Sequence, residues 1–228
     1  MRKTGATAYH SALASNLDDV FEILKEVTGS LQEPVVSRVA HELDPFQVLI
    51  STMLSLRTKD AVTEQAFKRL FSLAPSPEQI ILTDLADIEN AIFPVGFYRT
   101  KAVHIKEASI MLMERYHGKV PENMEDLLTL PGVGRKTANL VMILGYGKPG
   151  ICVDTHVHRI TNRWGYVYTK NPDETELRLR RILPQKYWMK INDYLVTYGQ
   201  NICVPVSPFC TRCRIRDFCA RLGVDKSR

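Results

Sequence analysis

Three short stretches hold residue types that could do chemistry. The first is LPGVGRKTANLV, residues 130–141, where a proline and two glycines precede Arg135, Lys136 and an apolar run. A tight turn between helices needs the proline and the glycines, but not two adjacent cations. Amides exposed at a helix start, with Arg135 beside them, make a seat for phosphate. An ordinary lysine, with a pKa of about 10.4, is almost wholly charged near neutrality. To act as a nucleophile an amine needs a value nearer ~7–8. Helix start, neighbouring guanidinium and a partly dry pocket must act together to bring it there. Lys136 is the candidate nucleophile, and a lysine resting on phosphate or in water is the plainer alternative.

The second stretch is ICVDTHVHRITNRWG, residues 151–165. Asp154 stands where a helix should start and reads as its N-cap, accepting from the amide of His156 or Val157. A capping carboxylate is fixed in place and stays ionised. It could activate Lys136 or a water, or stabilise a cationic sugar-like transition state. His156 and His158 are two apart, share no helical face and make a poor metal pair. His156 is a candidate phosphate contact.

The third is the set Cys203, Cys210, Cys213 and Cys219, spaced C-x6-C-x2-C-x5-C. Four thiolates within 17 residues can close around one zinc ion or one [4Fe–4S] cluster. Zinc sites usually pair two short knuckles, and only one is present here, so the spacing favours iron–sulfur. Cys152 lies outside the motif and reads as a small core residue.

The elements that must position these residues are helical. Val20, Leu24, Val27 and Leu31 make one stripe. Asp44-Pro45 opens a second helix whose residues are apolar nearly all round, so it should be buried. Thr58 is placed to cap a third, carrying Val62, Ala66 and Leu70. Periodicity predicts further helices over 77–82, 84–92, 99–116, 123–129, 135–146, 155–165 and 173–183. Trp188, Ile191, Leu195, Tyr198 and Ile202 mark a last long one. No stretch alternates long enough to insist on a strand, so the fold class is all-α.

The chain has 228 residues, enough for one large domain or two small ones with real cores. The net charge of +5 is concentrated at one end: residues 210–228 hold six cations against two acids. Such a patch suits an anion or nucleic-acid surface. No run approaches the ~20 apolar residues that span a bilayer, and no signal-peptide core stands near the start. The expectation is a protein with no membrane partner in a bacterial or archaeal cytoplasm, near the nucleoid. Residues 1–17 read as a tail.

Taken together, LPGVGRKTANLV, VDTHVHR and the C-x6-C-x2-C-x5-C tail resemble endonuclease III, of the helix-hairpin-helix DNA glycosylases. The likeness runs from about Phe46 to Cys219. It implies an all-α, two-domain fold with DNA bound in the cleft between the domains. One would be a six-helix barrel over 38–148, with the helix-hairpin-helix motif at about 123–147. The other would join 1–37 to 149–228 and carry a [4Fe–4S] cluster on the four cysteines.

The resemblance also implies chemistry. Lys136 would attack C1′ of a damaged nucleotide flipped out of the duplex, with Asp154 as catalytic partner. A Schiff base and β-elimination would then nick the strand 3′ to the lesion. Oxidised and ring-saturated pyrimidines are the family's usual substrates. The partner would be double-stranded DNA with damaged bases or abasic sites, bound by a monomer. Its contacts would come from Gly132, Gly134, Arg135 and Thr137 of the hairpin, from His156, and from Arg212 and Arg214 of the cysteine loop. Arg57 and Phe97 stand where the family fills the gap left by the extruded base. Arg57 replaces the usual glutamine and Phe97 the common leucine, which leaves lesion range and opposite-base preference open. Three rivals remain: a mismatch glycosylase of the same fold, a non-catalytic iron–sulfur or zinc DNA-binding module, and an electron carrier.

Overall fold

The computed structural model of the protein describes residues 13, 15–29 and 44–228. Among these residues every regular element is helical and no strand occurs. Two compact units divide the chain, and one boundary passes between Gly150 and Ile151, rather than after residue 148. The other expected boundary, 37/38, and Leu31 of the first stripe lie outside the described residues.

The unit ending at Gly150 is built on α2 (Pro45–Ser55), which follows α1 (Leu17–Gly29) of the other unit. Asp44 starts α2 with a reciprocal cap. Its carboxylate accepts from the Gln47 amide at 2.9 Å, and the Gln47 side chain accepts from the Asp44 amide at 3.2 Å. Pro45 at the first helical position costs no hydrogen bond there. Phe46, Val48, Leu49, Ile50, Met53 and Leu54 are all buried. Each such side chain stabilises the fold by about 1.5–3 kcal/mol. Around α2 pack α3 (Asp60–Leu73), α6 (Tyr98–Tyr116), α8 (Arg135–Leu140) and the π turn Val141–Gly145 that continues α8. The short α4 (Pro77–Leu82), α5 (Leu85–Ile92) and α7 (Met124–Leu127) complete the unit.

In the other unit α1 packs on α11 (Ile191–Asn201), which also receives α9 (Thr155–Trp164). Helix α10 (Pro172–Ile182) packs on α9. Its start is capped by Asn171, whose side chain accepts from the Glu174 amide at 2.8 Å. The core joins Val20, Phe21 and Leu24 to Val157, Ile160, Trp164, Leu179, Leu195 and Tyr198, with Cys152 buried as expected.

Three expectations need correction. Thr58 does not cap α3: the N-cap is Lys59, and the Thr58 hydroxyl instead accepts from the Gly96 amide at 3.1 Å. The expected helix over 135–146 changes pitch after Leu140, because a π turn adds residues per turn without interrupting an apolar run. The last long helix begins at Ile191, after a 3₁₀ turn at Gln185–Tyr187, so Trp188 precedes it. No helix among the described residues is long and apolar enough to cross a membrane.

If α2 is the centre of its unit, Leu49→Ala should lower unfolding free energy by about 2–5 kcal/mol. Asp44→Ala should lower it by about 1 kcal/mol, the worth of a cap. Urea denaturation measures both, and equal losses would show that α2 is not the buried axis.

Candidate catalytic and nucleic-acid-binding site

The hairpin between α7 and α8 is held from below. Leu127, Leu130 and Val133 are buried, and the Val133 amide donates to the Leu130 carbonyl at 3.1 Å. Gly132 has φ +74°, a conformation that side chains resist. A Cβ there would lie 2.9 Å from both Cβ and Nδ1 of His104, so the hairpin backbone lies flat on α6. Gly134 is different: its φ is −98° and no atom stands within 4 Å of where a Cβ would be. Gly134 is the N-cap of α8 and supplies no side-chain cap.

Arg135 and Lys136 follow, both half-buried. Thr137 turns its side chain inward. It is 1% exposed, and its hydroxyl is buried with no partner among the described residues. The side chain faces the core because helical spacing puts it in register with Leu140 and Val141, so any phosphate contact falls to its amide.

Asp154 stands in the other unit, at the start of α9. Its Oδ1 accepts from the amides of His156 at 2.8 Å and Val157 at 2.9 Å. Both cap bonds fall on Oδ1, which leaves Oδ2 outside the cap. The residue is half-buried. His156 is seated against Gly199 of α11, where a Cβ would come within 2.5 Å of its Nδ1, and that nitrogen lies 3.1 Å from Arg159. His158 turns instead to Thr175, 2.7 Å from its Nδ1, and burial pulls its pKa down.

All four cysteines line one hollow together with Arg163, Trp164, Tyr198 and Arg221. None is in a disulfide. Donors point at three of the sulfurs: Arg163 at Cys203 (3.4 Å), the Tyr198 hydroxyl at Cys213 (3.1 Å) and the Arg221 amide at Cys219 (3.4 Å). Burial pushes the Cys213 thiol up and the Cys219 thiol up to about 12. Thiolates here therefore need a cationic partner. Among the described residues no three His, Cys, Asp or Glu side chains are arranged to hold one metal ion. The loop's cations have internal partners: Arg214 pairs with Glu26 at 2.9 Å, and Arg212 lies over the Phe209 ring at 5.6 Å.

Arg57 and Phe97 come together on two separate loops. Both have positive φ, +54° and +59°, and the guanidinium lies 5.6 Å from the ring centroid. Phe97 is 64% exposed. Behind them is Lys101, a residue the motifs did not single out. Its ammonium is buried and donates to the Leu54 and Leu56 carbonyls and to Thr58. A signal was present: Lys101 keeps the apolar register of Ile105, Ala108 and Leu112 on α6. Arg159 and Arg163 were also passed over. They reach from α9 to the backbone of Cys203, Val204 and Pro205, and nothing in their spacing advertises it.

Comparison with known proteins adds the following. A model of the HhH-GPD superfamily of base excision DNA repair proteins matches residues 50–185. Over 178 residues the chain is 48% identical to endonuclease III of Thermotoga maritima, covering 78% of this chain and 84% of that protein. It is 45% identical over 177 residues to endonuclease III-like protein 1 of Bos taurus, covering 76% of this chain and 58% of that longer protein. A solved structure of a trapped covalent intermediate between endonuclease III and DNA, with an estranged adenine, matches with a TM-score of 0.81. Its identity is 32%, over 91% of this chain and 96% of that one.

The two hairpin glycines should behave differently. Gly132→Ala should lower stability by at least about 1–2 kcal/mol, because the left-handed backbone and the His104 contact both resist a Cβ. Gly134→Ala should leave the melting curve nearly unchanged yet weaken binding to an abasic-analogue duplex about tenfold, or 1.4 kcal/mol. Thermal melts and fluorescence anisotropy distinguish them. Unchanged DNA affinity in Gly134→Ala would remove this face from the DNA contact.

Proposed function

Because the chain belongs to the HhH-GPD superfamily of base excision DNA repair proteins, and within it to the endonuclease III family, we propose that it works as a bifunctional DNA glycosylase and abasic-site lyase with Lys136 and Asp154 as its catalytic pair. The observation that carries this reading is the setting of Lys136. It stands half-buried in the first turn of a helix that opens on an uncapped, outward-turned glycine. Amides beside it can take a phosphate while its Nζ reaches the adjoining sugar. A non-catalytic DNA-binding module would give such a lysine, and Asp154, nothing to do beyond binding and capping. Mismatch glycosylases of this fold commonly lack a lysine at that place in the hairpin.

The steps follow from an amine and a carboxylate. The Lys136 nitrogen attacks C1′ of an extruded nucleotide, and the bond from C1′ to the base breaks. The base leaves with the electron pair and takes up a proton. Opening of the sugar ring gives a Schiff base, a proton is lost from C2′, and the 3′ phosphate is expelled by β-elimination. Water then hydrolyses the imine and frees Lys136. Asp154, fixed through Oδ1, is the proposed carboxylate for this chemistry, a group of the kind that stabilises a cationic sugar or carries a proton. Oxidised and ring-saturated pyrimidines are the proposed substrates in double-stranded DNA. Damaged pairs lose least on extrusion, which costs a few kcal/mol. Arg57 and Phe97 fill the gap behind the extruded base.

Cys203, Cys210, Cys213 and Cys219 would hold a [4Fe–4S] cluster, which when bound ties the 203–219 loop into one piece. The donors on three sulfurs suit thiolate ligands.

Borohydride should trap a covalent adduct with DNA containing thymine glycol, and Lys136→Gln should abolish it while binding persists. An adduct in the Gln variant would remove Lys136 from its role. Asparagine caps a helix as well as aspartate, so Asp154→Asn should keep the melting temperature while slowing turnover by about 10²–10⁴-fold. A variant that loses stability but keeps its rate would leave Asp154 a cap alone. Broad absorbance near ~400 nm would mark iron–sulfur, and a colourless protein holding zinc would overturn the cluster.

A further inference from the structure

Two exposed, non-glycine residues in the left-handed region are unusual, and here they touch. Such backbone costs about 1–3 kcal/mol per residue and persists only where the surroundings over-determine it. Arg57 lies in the connection between α2 and α3, and Phe97 immediately precedes α6. Their loops are joined by three features. The Gly96 amide donates to Thr58 Oγ1 at 3.1 Å. A Cβ on Gly96 would lie 2.6 Å from the Arg57 carbonyl oxygen, so the two backbones are in direct contact. The third is Lys101, whose Nζ lies 2.7 Å from the Leu54 carbonyl, 2.6 Å from the Leu56 carbonyl and 3.3 Å from Thr58 Oγ1.

Leu54 and Leu56 lie at the C-terminal end of α2, where carbonyls have no helical partner and the dipole is negative. An ammonium with three donors meets three acceptors there. Burial lowers the Lys101 pKa to about 8, which still leaves it mostly charged at neutral pH. Phe97 is also joined to the lysine through the helix itself, its carbonyl accepting from the Lys101 amide at 3.0 Å.

We propose that Lys101 is the positioning residue for the gap-filling pair: it locks the Arg57 loop against the Phe97 loop, so that guanidinium and ring enter the duplex as one preformed wedge. This rests on the proposed role of Arg57 and Phe97 in the glycosylase. Lys101 touches no reacting atom. Its effect appears only where there is a duplex gap to fill, and chemistry on an already single-stranded abasic site does not need it.

The test separates those two situations. A duplex carries a tetrahydrofuran abasic analogue opposite 2-aminopurine, whose fluorescence reports insertion into the gap without any bond being broken. In a second arm, borohydride trapping is measured on a single-stranded abasic oligonucleotide. Lys101→Met should lose the insertion signal and at least tenfold in kcat/KM on duplex thymine glycol, while single-strand trapping stays within twofold. Lys101→Arg, which keeps the charge, should recover part of the insertion signal. Thr58→Val, which removes the shared acceptor without unburying a charge, should show the same split more weakly, and it serves where Lys101→Met fails to fold. Equal loss in both arms would make Lys101 a general support of the fold and overturn the proposal, as would an unchanged insertion signal. Absence of any trapped adduct in the wild-type chain would count against the lyase reading alone, because the insertion arm needs no catalysis.

Discussion

A helix sunk in a core has to find partners for the groups at both of its ends, and α2 is sunk on nearly every side. Its first amides are answered within the chain by Asp44 and Gln47. Its last carbonyls are answered from 47 and 45 residues away, by the ammonium of Lys101. That second solution brings a charge into the interior, which is tolerable only because each donor has an acceptor. The same helix is the surface on which α8 and its π turn pack. The hairpin that carries Lys136 and the loops that carry Arg57 and Phe97 are thus both referred to one buried axis. Placement of the site is a consequence of satisfying a helix, not an addition to it.

The other unit solves a similar problem with arginines. Helix α9 starts on Asp154 and sends Arg159 and Arg163, one turn apart, to the backbone at 203–205, where the cysteine loop begins. Arg159 also reaches the Gly199 carbonyl and lies beside His156. The aspartate and the first cysteine are therefore fixed to a single helix by charge-assisted bonds, each stronger than a neutral one. Burial lowers the Arg159 pKa, a measure of how far that guanidinium has left water for these carbonyls. The proposed chemistry needs Asp154 immobile, and its two cap bonds hold it in place. In the proposed reaction a structural and a chemical role would coincide in one side chain, because a helix start asks for a fixed carboxylate.

Much of this was legible in the sequence because it rests on local rules. Asp44-Pro45 announces a helix start, Asp154 announces another, and PGVG announces a hairpin, each within four residues. The cysteine spacing announces a wrapped donor set. What stayed hidden depends on acceptors that carry no residue-type signature. A carbonyl at Leu54 looks like any other carbonyl, so the destination of Lys101 is invisible until the chain is folded. Only its intrusion into the apolar register of α6 hinted that it was inside. Thr58 misled for the related reason that a hydroxyl two residues ahead of an apolar helix suits a cap, and tertiary contact with Gly96 claimed it instead. The π turn after Leu140 was hidden because apolar periodicity tolerates an extra residue. The burial of the Thr137 side chain was hidden because Arg135 and Lys136 before it are only half-buried, while helical geometry turns Thr137 in.

The strain at Arg57 and Phe97 has a consequence for binding energy. Extruding a base costs a few kcal/mol, and ordering flexible side chains in the gap would add roughly 0.5–1.5 kcal/mol for each one immobilised. Here that ordering has already occurred in the free protein, where ring and guanidinium stand 5.6 Å apart on backbones held out of their preferred region. The cost falls on folding, and the packing around α2 and the bonds of Lys101 offset it there. In the proposed gap-filling role, insertion would need little further loss of freedom, so more of the contact energy would be left to oppose re-stacking of the extruded base. A looser pair could still fill the gap, but it would be ordered at the expense of that opposition.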